Sequence, residues 1–462
     1  MYHINKNFHT FKKNDQLIKV LNNLKKYSFK TSRLILFIVD NKNRCVGTVT
    51  DGDIRRFIST RNNLHEKIYN ISRKNFIYIN ENDSENKILR SFELLINKRG
   101  KYLSIPILDN ENKIVGLLDY DQYRSYILAK KKIIRARIPA RVSFSGGGTD
   151  FSSYLNYDDS QILTSTINKF STVSLLFRSD EKVNIINRPI KSFVKLNHYN
   201  EIKNQKRDLI IETLKMIKPE FGFDLEILSD FDIGTGLGGS SSVCVAVLAV
   251  FNEADPKNKM DLNSLCNIAY QIERIKLGIK GGWQDFFSTS YGGFSWIELD
   301  KKDILVNSLK VQESYVNELE HNLLLFKVGK SRKSSLIQKK NFKNKYSKTN
   351  VLKMKKISKE MKKYLLTGKI KKFGDLLDES WSLKKIISPY SSNSKIDKIY
   401  NLAKKNGALG GKLLGAGQSG YLLLYVSPAY QETIKKKLKK LDAKYEKLRF
   451  ISTGLKVWIT EK

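Results

Sequence analysis

Apolar residues come in short runs over the first quarter of the chain, and the runs form two similar sets. Each set has two apolar strands separated by a polar turn, with residues at helical spacing beside them. The predicted strands are residues 34–40 and 46–50 in the first set, and 103–109 and 114–118 in the second. The predicted helices are residues 16–27 and 84–97. This pattern predicts an internal duplication of an α/β unit within residues 1–125.

The pattern is more mixed beyond residue 125. A basic connector over residues 126–133 leads into alternating strand and helix signals. Predicted strands are residues 134–144, 421–426 and 448–458, and predicted helices are residues 262–272, 394–406 and 428–441. The strand, helix, strand order at the end indicates an α+β lobe.

The chain of 462 residues carries a net charge of +37. Such an excess can indicate a nucleic-acid partner, but lysine is spread throughout the chain, and no helix-turn-helix or zinc-finger pattern accompanies it. The dense lysines of residues 327–372 are therefore interpreted as a solvated helical face rather than a nucleic-acid surface. The charge still favours anionic substrates.

No stretch of the sequence resembles a membrane span or an export signal. The longest apolar run, residues 243–251, is far shorter than the roughly 20 residues that cross a bilayer. Cys45, Cys244 and Cys266 are odd in number and lack metal-ligand spacing, so they are expected to be free thiols. These features predict a cytoplasmic protein with no membrane insertion.

The segment 232–242, Asp-Ile-Gly-Thr-Gly-Leu-Gly-Gly-Ser-Ser-Ser, is a glycine-rich turn that runs into the long apolar stretch. Glycines allow close backbone approach, and the free N–H groups at a helix N-terminus bind phosphate. The segment lacks the Lys-Ser/Thr ending of a Walker loop, so it predicts a different type of phosphate binder. Taken alone, a purely structural helix cap explains it equally well.

Two other glycine-rich segments settle that question. Residues 139–150 end in Ser-Gly-Gly-Gly-Thr-Asp, and residues 412–421 read Lys-Leu-Leu-Gly-Ala-Gly-Gln-Ser-Gly-Tyr. In chain order, the first signature is residues 139–150, the second is residues 232–242 and the third is residues 412–421. Together, in this order, they resemble the GHMP small-molecule kinases over roughly residues 133–462. Within them, Ile272-Glu-Arg274, residues 280–285, residues 292–298 and residues 381–385 resemble the D-glycero-D-manno-heptose 7-phosphate kinase branch.

The resemblance implies an α+β GHMP kinase fold with two lobes. The N-terminal lobe, of ribosomal S5 domain 2-like type, is expected over residues 134–320, and a ferredoxin-like C-terminal lobe over residues 321–462. The cofactors implied are ATP and Mg²⁺. The backbone of the second signature would hold the ATP phosphates, through Gly234, Gly236, Leu237, Gly238, Gly239, Ser240 and Ser241.

The resemblance also implies roles for individual side chains. Ser240 and Glu273 match the magnesium-binding pair of the family, although each also suits a structural role, as a helix cap and a solvated helix face. Asp285 matches the base that takes the acceptor proton, with Arg141 as a cation beside it. An Asp helix cap is the structural alternative for Asp285.

The acceptor sugar would be held mainly by the first signature. Asp150 matches the sugar-binding acid of the family, in a pocket shaped by Ser145, Gly147, Gly148 and Thr149, with Gly415 and Gly417 of the third signature nearby. Lys280 and Arg332 are weaker candidates for a substrate phosphate. Three departures stand out: Gly239 replaces a family serine, and Gln418 and Ser419 replace glycines.

The duplicated unit at the start resembles a pair of CBS domains. Thr50 and Asp53 close the first copy in a Thr-x-x-Asp pattern, with which such domains often hold adenosine ribose. A carboxylate can accept both ribose hydroxyl protons. The unit is therefore interpreted as either an AMP- or ATP-binding sensor or a dimerisation and packing module.

Together these features predict an ATP-dependent sugar kinase that phosphorylates the anomeric hydroxyl of a heptose 7-phosphate, on a route to nucleotide sugars and cell-surface glycan. Two alternatives remain at this point. One is a kinase for fucose, galactose or an unphosphorylated heptose, and the other is a non-catalytic, nucleotide-sensing regulator.

Overall fold

The computed structural model describes residues 4–6, 8–24, 35–61, 63–99, 104–124, 132–151, 155, 159–178, 180–255, 258–300, 303–329 and 348–461. The chain divides into two compact units, Met1–Lys131 and Lys132–Lys462. The predicted connector lies mostly outside the described residues, and its last two residues already belong to the first strand of the second unit.

The first unit contains two small sheets with the same strand order. The first has β1 (His9–Lys12), β2 (Ile35–Val39) and β3 (Cys45–Thr50), with α1 (Leu17–Leu24), α2 (Asp51–Arg61) and α3 (Ile68–Ile71). The second has β4 (Ile79–Asn80), β5 (Ser104–Leu108) and β6 (Ile114–Asp119), with α4 (Glu85–Arg99). In each sheet the first pair is parallel and the second antiparallel.

The turns inside the two copies match residue by residue, which confirms the predicted duplication. Asp40 and Asp109 each accept backbone N–H groups from the turn that follows them. Asn43 and Asn112 both adopt left-handed backbone, with φ of 62° and 59°. Asparagine tolerates this conformation because its short polar side chain can bond locally.

The second unit begins with a large, mostly antiparallel sheet. Its strands are β7 (Lys132–Ser145), β8 (Ser160–Phe177), β9 (Val183–Asn187), β10 (Ser192–Leu196), β11 (Phe223–Ser229), β12 (Phe294–Leu299) and β13 (Ile304–Ser308). The order is β10-β9-β11-β8-β12-β13, with β7 pairing β8. Its helices are α5 (Leu209–Ile217), α6 (Gly239–Ala254), α7 (Leu262–Tyr270) and α8 (Gln284–Tyr291).

After α9 (Glu313–Asn322), the described residues of this unit form a four-stranded sheet and four α-helices. The strands are β14 (Leu323–Val328), β15 (Ala408–Leu413), β16 (Gly420–Val426) and β17 (Lys444–Glu446), in the order β15-β16-β14-β17. The helices are α10 (Lys348–Leu366), α11 (Ile370–Ile387), α12 (Ser394–Lys405) and α13 (Pro428–Lys439). Antiparallel sheets with helices packed on them confirm the predicted α+β class.

One apolar core joins these two sheets. Phe144 at the end of β7 packs against Phe294, Phe373 of α11 and Phe450. Helix α6 is buried along nearly all of its length, which explains its unbroken apolar sequence. The glycine turns at the ends of β7, α6 and β15 therefore emerge from one rigid core.

Two predicted elements differ from the observed ones. The helix predicted to end at Ile272 stops at Tyr270 and continues as a π-helical turn, Gln271–Lys276. The strand predicted over residues 448–458 was misplaced, because the last strand is β18 (Lys456–Glu461). Before Lys456 the backbone makes separate bonds to different elements, including Ile451 to Thr166 and Leu455 to Ser290.

Strand β18 pairs with β7, so the chain returns at its end to the first sheet of the unit. These residues fall within 321–462, the predicted C-terminal lobe, but they pair with the first strand of the predicted N-terminal lobe. None of the helices in the described ranges combines the length and the hydropathy that a bilayer crossing requires.

Candidate active site

The glycine-rich loop before α6 is built for close backbone approach. Gly234, Gly236 and Gly238 have φ of 82°, 88° and 83°, a conformation that other residues adopt at a cost. Gly238 is the N-cap of α6 and provides no side-chain cap. The first N–H groups of this 16-residue helix can therefore bind a phosphate anion, as the sequence predicts.

Other residues of the loop are turned into the protein. Leu237 is buried, and its carbonyl accepts the backbone N–H of Arg141 at 3.1 Å. A Cβ at Gly239 would lie 2.8 Å from the Phe231 ring, so the serine usual in the family does not fit beside this phenylalanine. Ser240 is half-buried at the start of the helix.

Glu273 lies in the π-helical turn, where it is 2% exposed. It accepts a hydrogen bond from the Ser241 hydroxyl at 2.6 Å and pairs with Arg274 at 3.1 Å. The hydroxyl that Glu273 binds is therefore that of Ser241, rather than that of Ser240, its predicted partner at the metal. Only the backbone N–H of buried Ser241 remains to serve a phosphate.

These residues suit Mg²⁺ in an ATP complex. Within the described ranges no group of three or more His, Cys, Asp or Glu residues could hold a metal alone. Mg²⁺ in nucleotide sites takes one or two protein ligands and completes its shell with water and phosphate. The predicted pair would supply one hydroxyl, from Ser240, and one carboxylate, from Glu273, whose oxygens also contact Ser241 and Arg274.

Arg141 and Asp285 lie directly behind the glycine loop. Two guanidinium nitrogens of Arg141 donate to one oxygen of Asp285, at 2.8 and 2.5 Å, and the third donates to the carbonyl of Gly236 at 2.5 Å. A Cβ at Gly238 would touch Arg141 at 3.4 Å and Asp285 at 3.5 Å. The nucleotide loop and the carboxylate therefore meet in one place, although 144 residues separate Arg141 from Asp285.

The Arg141 side chain is 2% exposed, whereas that of Asp285 is 22% exposed. The buried guanidinium thus fixes a carboxylate that keeps an open face. Asp285 is also the second residue of α8, and its carbonyl accepts the Thr289 hydroxyl at 2.7 Å. The helix position and the arginine together determine where the carboxylate points.

Asp150 is fully buried beside this pair. Its oxygens accept the N–H groups of Gly148 at 3.1 Å and Gln284 at 3.0 Å. A Cβ at Gly282 would lie 1.9 Å from one of those oxygens, so only glycine allows this approach. Burial, and then the charge of Asp285, raise the pKa of Asp150.

The first glycine turn offers open space at one position only among those the structure describes here. Nothing lies within 4 Å of a Cβ built on Gly148, whereas one on Gly147 would meet Ser143 and Gln284. The Thr149 hydroxyl is used inside the turn, with the Gly146 carbonyl at 2.7 Å and Ser160 at 2.6 Å. Ser145 is buried at the end of β7.

The third signature packs on the second. A Cβ at Gly415 would lie 2.2 Å from Gly236, and one at Gly420 would lie 2.2 Å from the carbonyl of Thr235. A Cβ at Gly417 would collide with Ser391. The predicted sugar-facing glycines Gly415 and Gly417 thus have backbone neighbours on the side where a side chain would project.

Gln418 keeps the turn's shape although it is not glycine. Its φ of 61° is left-handed, its N–H donates to Ser391 at 2.8 Å, and its carbonyl accepts from Asn393 at 2.9 Å. These bonds offset the roughly 1–2 kcal/mol that left-handed backbone costs a residue with a Cβ. Ser419 is buried and would contact a Cβ on Gly329 at 3.1 Å.

Three cations at the site had no role in the sequence analysis, although their segments were singled out. The ammonium of Lys384 donates to the carbonyls of Gly415 at 2.7 Å and Leu413 at 3.2 Å. Buried Lys412 donates to the carbonyl of Phe144 at 2.9 Å. Burial, followed by the nearby charge of Lys384, lowers the pKa of Lys412 far below its usual range.

Arg274 is the third of these cations, and it braces the loop before α8. It pairs with Glu273 and donates to the Ser241 hydroxyl at 3.2 Å. A Cβ at Gly281 would lie 2.5 Å from its guanidinium carbon. The Ile272-Glu-Arg274 motif was a usable signal, but only the fold reveals what the arginine touches.

Among the described residues, the remaining candidates have no contact that assigns them a role at this centre. Lys280 is exposed on the loop before α8, and Arg332 lies outside the described residues. Cys45, Cys244 and Cys266 are buried free thiols, and burial raises their pKa values to about 11, 12 and 12.

In the first unit, Thr50 and Asp53 form a closed polar group. Asp53 accepts the N–H and hydroxyl of Thr50 on one oxygen, and Arg56 and Arg73 on the other. Burial raises the pKa of Asp53, but the bonds from Arg73 and Thr50 outweigh it and hold that pKa well below its usual range. In the second copy Asp119 replaces the threonine and accepts the Ser104 hydroxyl.

Family models match three parts of the chain. The GHMP kinases N terminal domain matches residues 208–293, the GHMP kinases C terminal domain residues 361–447, and the CBS domain residues 2–60. The first covers the glycine loop and the Asp285 helix, and the second covers Lys384 and the third signature.

Known proteins resemble the larger part of the chain. D-glycero-alpha-D-manno-heptose 7-phosphate kinase of Campylobacter jejuni is 31% identical over 340 residues, which span 71% of this chain and 99% of the relative. The structure of a D-glycero-D-manno-heptose 1-phosphate kinase of Bacteroides thetaiotaomicron superposes with a TM-score of 0.58 at 25% identity, over 70% of this chain and 98% of that one.

A more distant structure shows the same fold. Lactococcus lactis galactokinase superposes with a TM-score of 0.57 at 17% identity, over 80% of this chain and 99% of that one. These matches confirm the predicted GHMP kinase fold and the CBS domain before it. The chain therefore belongs to the GHMP kinases, and it is an ATP-dependent sugar kinase.

Proposed function

We propose that the protein transfers the γ-phosphoryl group of ATP to the anomeric hydroxyl of a heptose 7-phosphate. The observation that carries this is the Arg141–Asp285 pair packed against Gly238 of the nucleotide loop. The heptose acceptor is supported by the 31% identity over nearly the whole length of the Campylobacter jejuni enzyme.

The proposed chemistry follows from the site. The acceptor hydroxyl loses its proton to Asp285 while its oxygen forms a bond to the γ-phosphorus, and the bond to the β,γ-bridging oxygen breaks to release ADP. Arg141 holds the Asp285 carboxylate in place through its two hydrogen bonds to one oxygen. The N–H groups at the start of α6 hold the phosphates.

Mg²⁺, when bound with ATP, neutralises phosphate charge. Ser240 and Glu273 are the residues that would hold it. Asp150, with Gly148 beside it, would accept sugar hydroxyls on the far side of Asp285. Because both of its oxygens already accept backbone N–H groups, its remaining lone pairs are those available to the sugar.

An ADP-release assay over a panel of acceptors tests the substrate. The panel contains both anomers of the heptose 7-phosphate, the unphosphorylated heptose, fucose and galactose. We expect the highest kcat/KM with a heptose 7-phosphate. No turnover with any heptose phosphate would refute the proposed acceptor, and turnover of fucose or galactose instead would identify another sugar kinase.

The place of the reaction follows from its product. A sugar 1-phosphate is the substrate of nucleotidyl transfer, so the product would feed nucleotide-sugar synthesis and, through it, cell-surface glycan. Conversion of the product by a sugar-1-phosphate nucleotidyltransferase in a coupled assay would support a role in nucleotide-sugar synthesis. Failure of that conversion with a verified product would contradict this role.

A nucleotide-binding role for the first unit rests on Thr50 and Asp53. Arg56 and Arg73 keep 67% and 38% of their side chains exposed beside Asp53, which suits a phosphate-bearing ligand near a ribose-binding carboxylate. Calorimetry of the full chain with AMP and with ATP tests this, with Asp53→Asn as the variant. Sedimentation of the same samples tests the expected homodimer.

A further inference from the structure

The charges buried around Arg141 do not balance. Three cations, Arg141, Lys384 and Lys412, surround two carboxylates, Asp150 and Asp285. Asp285 already neutralises Arg141, and burial favours the uncharged form of Asp150. Burial favours the uncharged form of Lys412 in the same way, so Lys384 is the cation left without a carboxylate partner, which is costly in a largely buried place unless an anion joins it.

Of these two lysines, Lys384 is the one that can reach a ligand. Lys412 is 2% exposed and binds the end of β7, so it serves the scaffold. Lys384 is half-buried and bonds two backbone carbonyls. An ammonium has three N–H groups, and no carboxylate among the described residues forms an ion pair with this one.

The position of Lys384 follows from a short series of contacts. Its ammonium bonds the carbonyl of Gly415, the Gly415 backbone packs on Gly236, and the carbonyl of Gly236 accepts from Arg141. Lys384 thus lies across the nucleotide loop from the Arg141–Asp285 pair. The charges of Arg141 and Asp150 both act on Lys384, which places the ammonium near the predicted catalytic pair and the predicted sugar-binding carboxylate.

We propose that Lys384 is a further catalytic residue, whose ammonium contacts the phosphoryl group during its transfer from ATP. The inference needs only the kinase activity and holds for any acceptor sugar. It assigns to helix α11 a charge that the three glycine-rich signatures do not contain. The charge spread over the equatorial phosphoryl oxygens in the transition state is where such a cation acts most strongly.

The decisive variants are Lys384→Met, which keeps the length of the side chain and removes its charge, and Lys384→Arg, which keeps the charge. Lys385→Met is the matched control, because Lys385 is the next residue of α11 and instead faces Asp397 at 3.7 Å. Melting temperatures of the three full-length variants show whether each one folds. The acceptor is the best one found in the panel above.

We expect Lys384→Met to lower kcat about 10²–10³-fold, the usual effect of losing one charge-stabilising donor. Lys384→Arg should recover at least a tenth of the wild-type kcat, and Lys385→Met should stay within twofold. Calorimetry should show ADP affinity within threefold of wild type in every variant, since ADP lacks the transferred group.

The pH profile separates contact from scaffolding. Burial, and then the charge of Arg141, lower the pKa of Lys384 to about 8, against the opposing effect of Asp150. Lys412 is a further ionisable group near it, close enough for the charge of Lys384 to lower the pKa of Lys412. Wild-type kcat/KM should therefore fall as pH rises through about 8, because the ammonium of the free enzyme loses its proton, and Lys384→Arg should keep its kcat/KM to higher pH.

A kcat of Lys384→Met within threefold of wild type would overturn the proposal, whatever the melting temperature. So would a rise confined to the KM of a phosphorylated acceptor, which would place the lysine at that sugar's own phosphate. A lower kcat that arginine neither recovers nor shifts in pH would show a structural role only. Absence of heptose turnover by the wild type would reject the proposed acceptor and leave these comparisons valid with another sugar or with ATP hydrolysis.

Discussion

Gly282 offers the sharpest test of the acceptor side of the site. A Cβ at this position would lie 1.9, 2.1 and 2.4 Å from the three carboxylate atoms of Asp150. Ordinary nonbonded contacts begin near about 3.5 Å, so Gly282→Ala forces the carboxylate or the loop to move by about 1.5 Å. Asp150 is fully buried and both of its oxygens accept hydrogen bonds, so its carboxylate cannot move without losing the bond from Gly148 or from Gln284.

The expected cost combines two effects. Overpacking a buried site costs about 1–3 kcal/mol, and leaving a buried hydrogen-bonding group without its partner costs about 1–3 kcal/mol. We therefore expect Gly282→Ala to lower the free energy of unfolding by about 3 kcal/mol. Because Asp285 lies three residues further on, we also expect the acceptor KM to rise at least tenfold while the KM for ATP changes little.

Urea unfolding and steady-state kinetics measure both effects. Gly278→Ala is the matched control, since it lies in the same loop, has a φ of 64°, and has nothing within 4 Å of a built Cβ. It should cost about 1 kcal/mol through its left-handed backbone and leave the kinetics unchanged. An acceptor KM within twofold of wild type for Gly282→Ala, with stability equal to that of the control, would refute the packing of Gly282 on Asp150.

Three other changes test the remaining contacts. Asp285→Asn should lower kcat at least 10³-fold with ATP affinity within threefold by calorimetry, and retained turnover would reject Asp285 as the base. Arg274→Met should lower the free energy of unfolding by about 3 kcal/mol, because Glu273 then stays buried without its partner. Arg274→Lys should recover less than half of that loss. A loss below 1 kcal/mol for Arg274→Met in urea unfolding would contradict this expectation. Burial raises the pKa of Asp150, so the folded protein keeps a proton on this carboxyl that the unfolded chain releases near pH 4. The free energy of unfolding of the wild type should therefore fall as pH rises from about 4 through the raised pKa. In urea unfolding measured between pH 4 and 8, Asp150→Asn should lack this fall in the free energy of unfolding. Parallel plots of that free energy against pH for the wild type and the variant would contradict the expectation.

Much of the fold could be predicted from local patterns. The duplicated turns at Asn43 and Asn112, and the strand that ends at the first glycine turn, depend on residues close in sequence. The glycine loop before α6 could also be recognised, because its shape follows from the backbone freedom of three glycines.

What the sequence could not provide were the contacts between distant segments. Glu273 suits a helix face, but whether it meets Ser240 or Ser241 depends on the π-helical turn that rotates it. Lys384 and Lys412 stand among 83 lysines and arginines, and only the tertiary structure separates them from surface charges. The replacement of a serine by Gly239 becomes understandable only once Phe231 is seen behind it.

The pairing of β18 with β7 brings the two ends of the kinase unit together, with Lys132 opposite Glu461. A short loop could join these ends, and the polypeptide could then be reopened at a surface turn far from the nucleotide, giving a circular permutant with the same sheet. The assembly of the three glycine-rich signatures therefore does not depend on the order in which they are synthesised. The catalytic centre should still form when that order is changed.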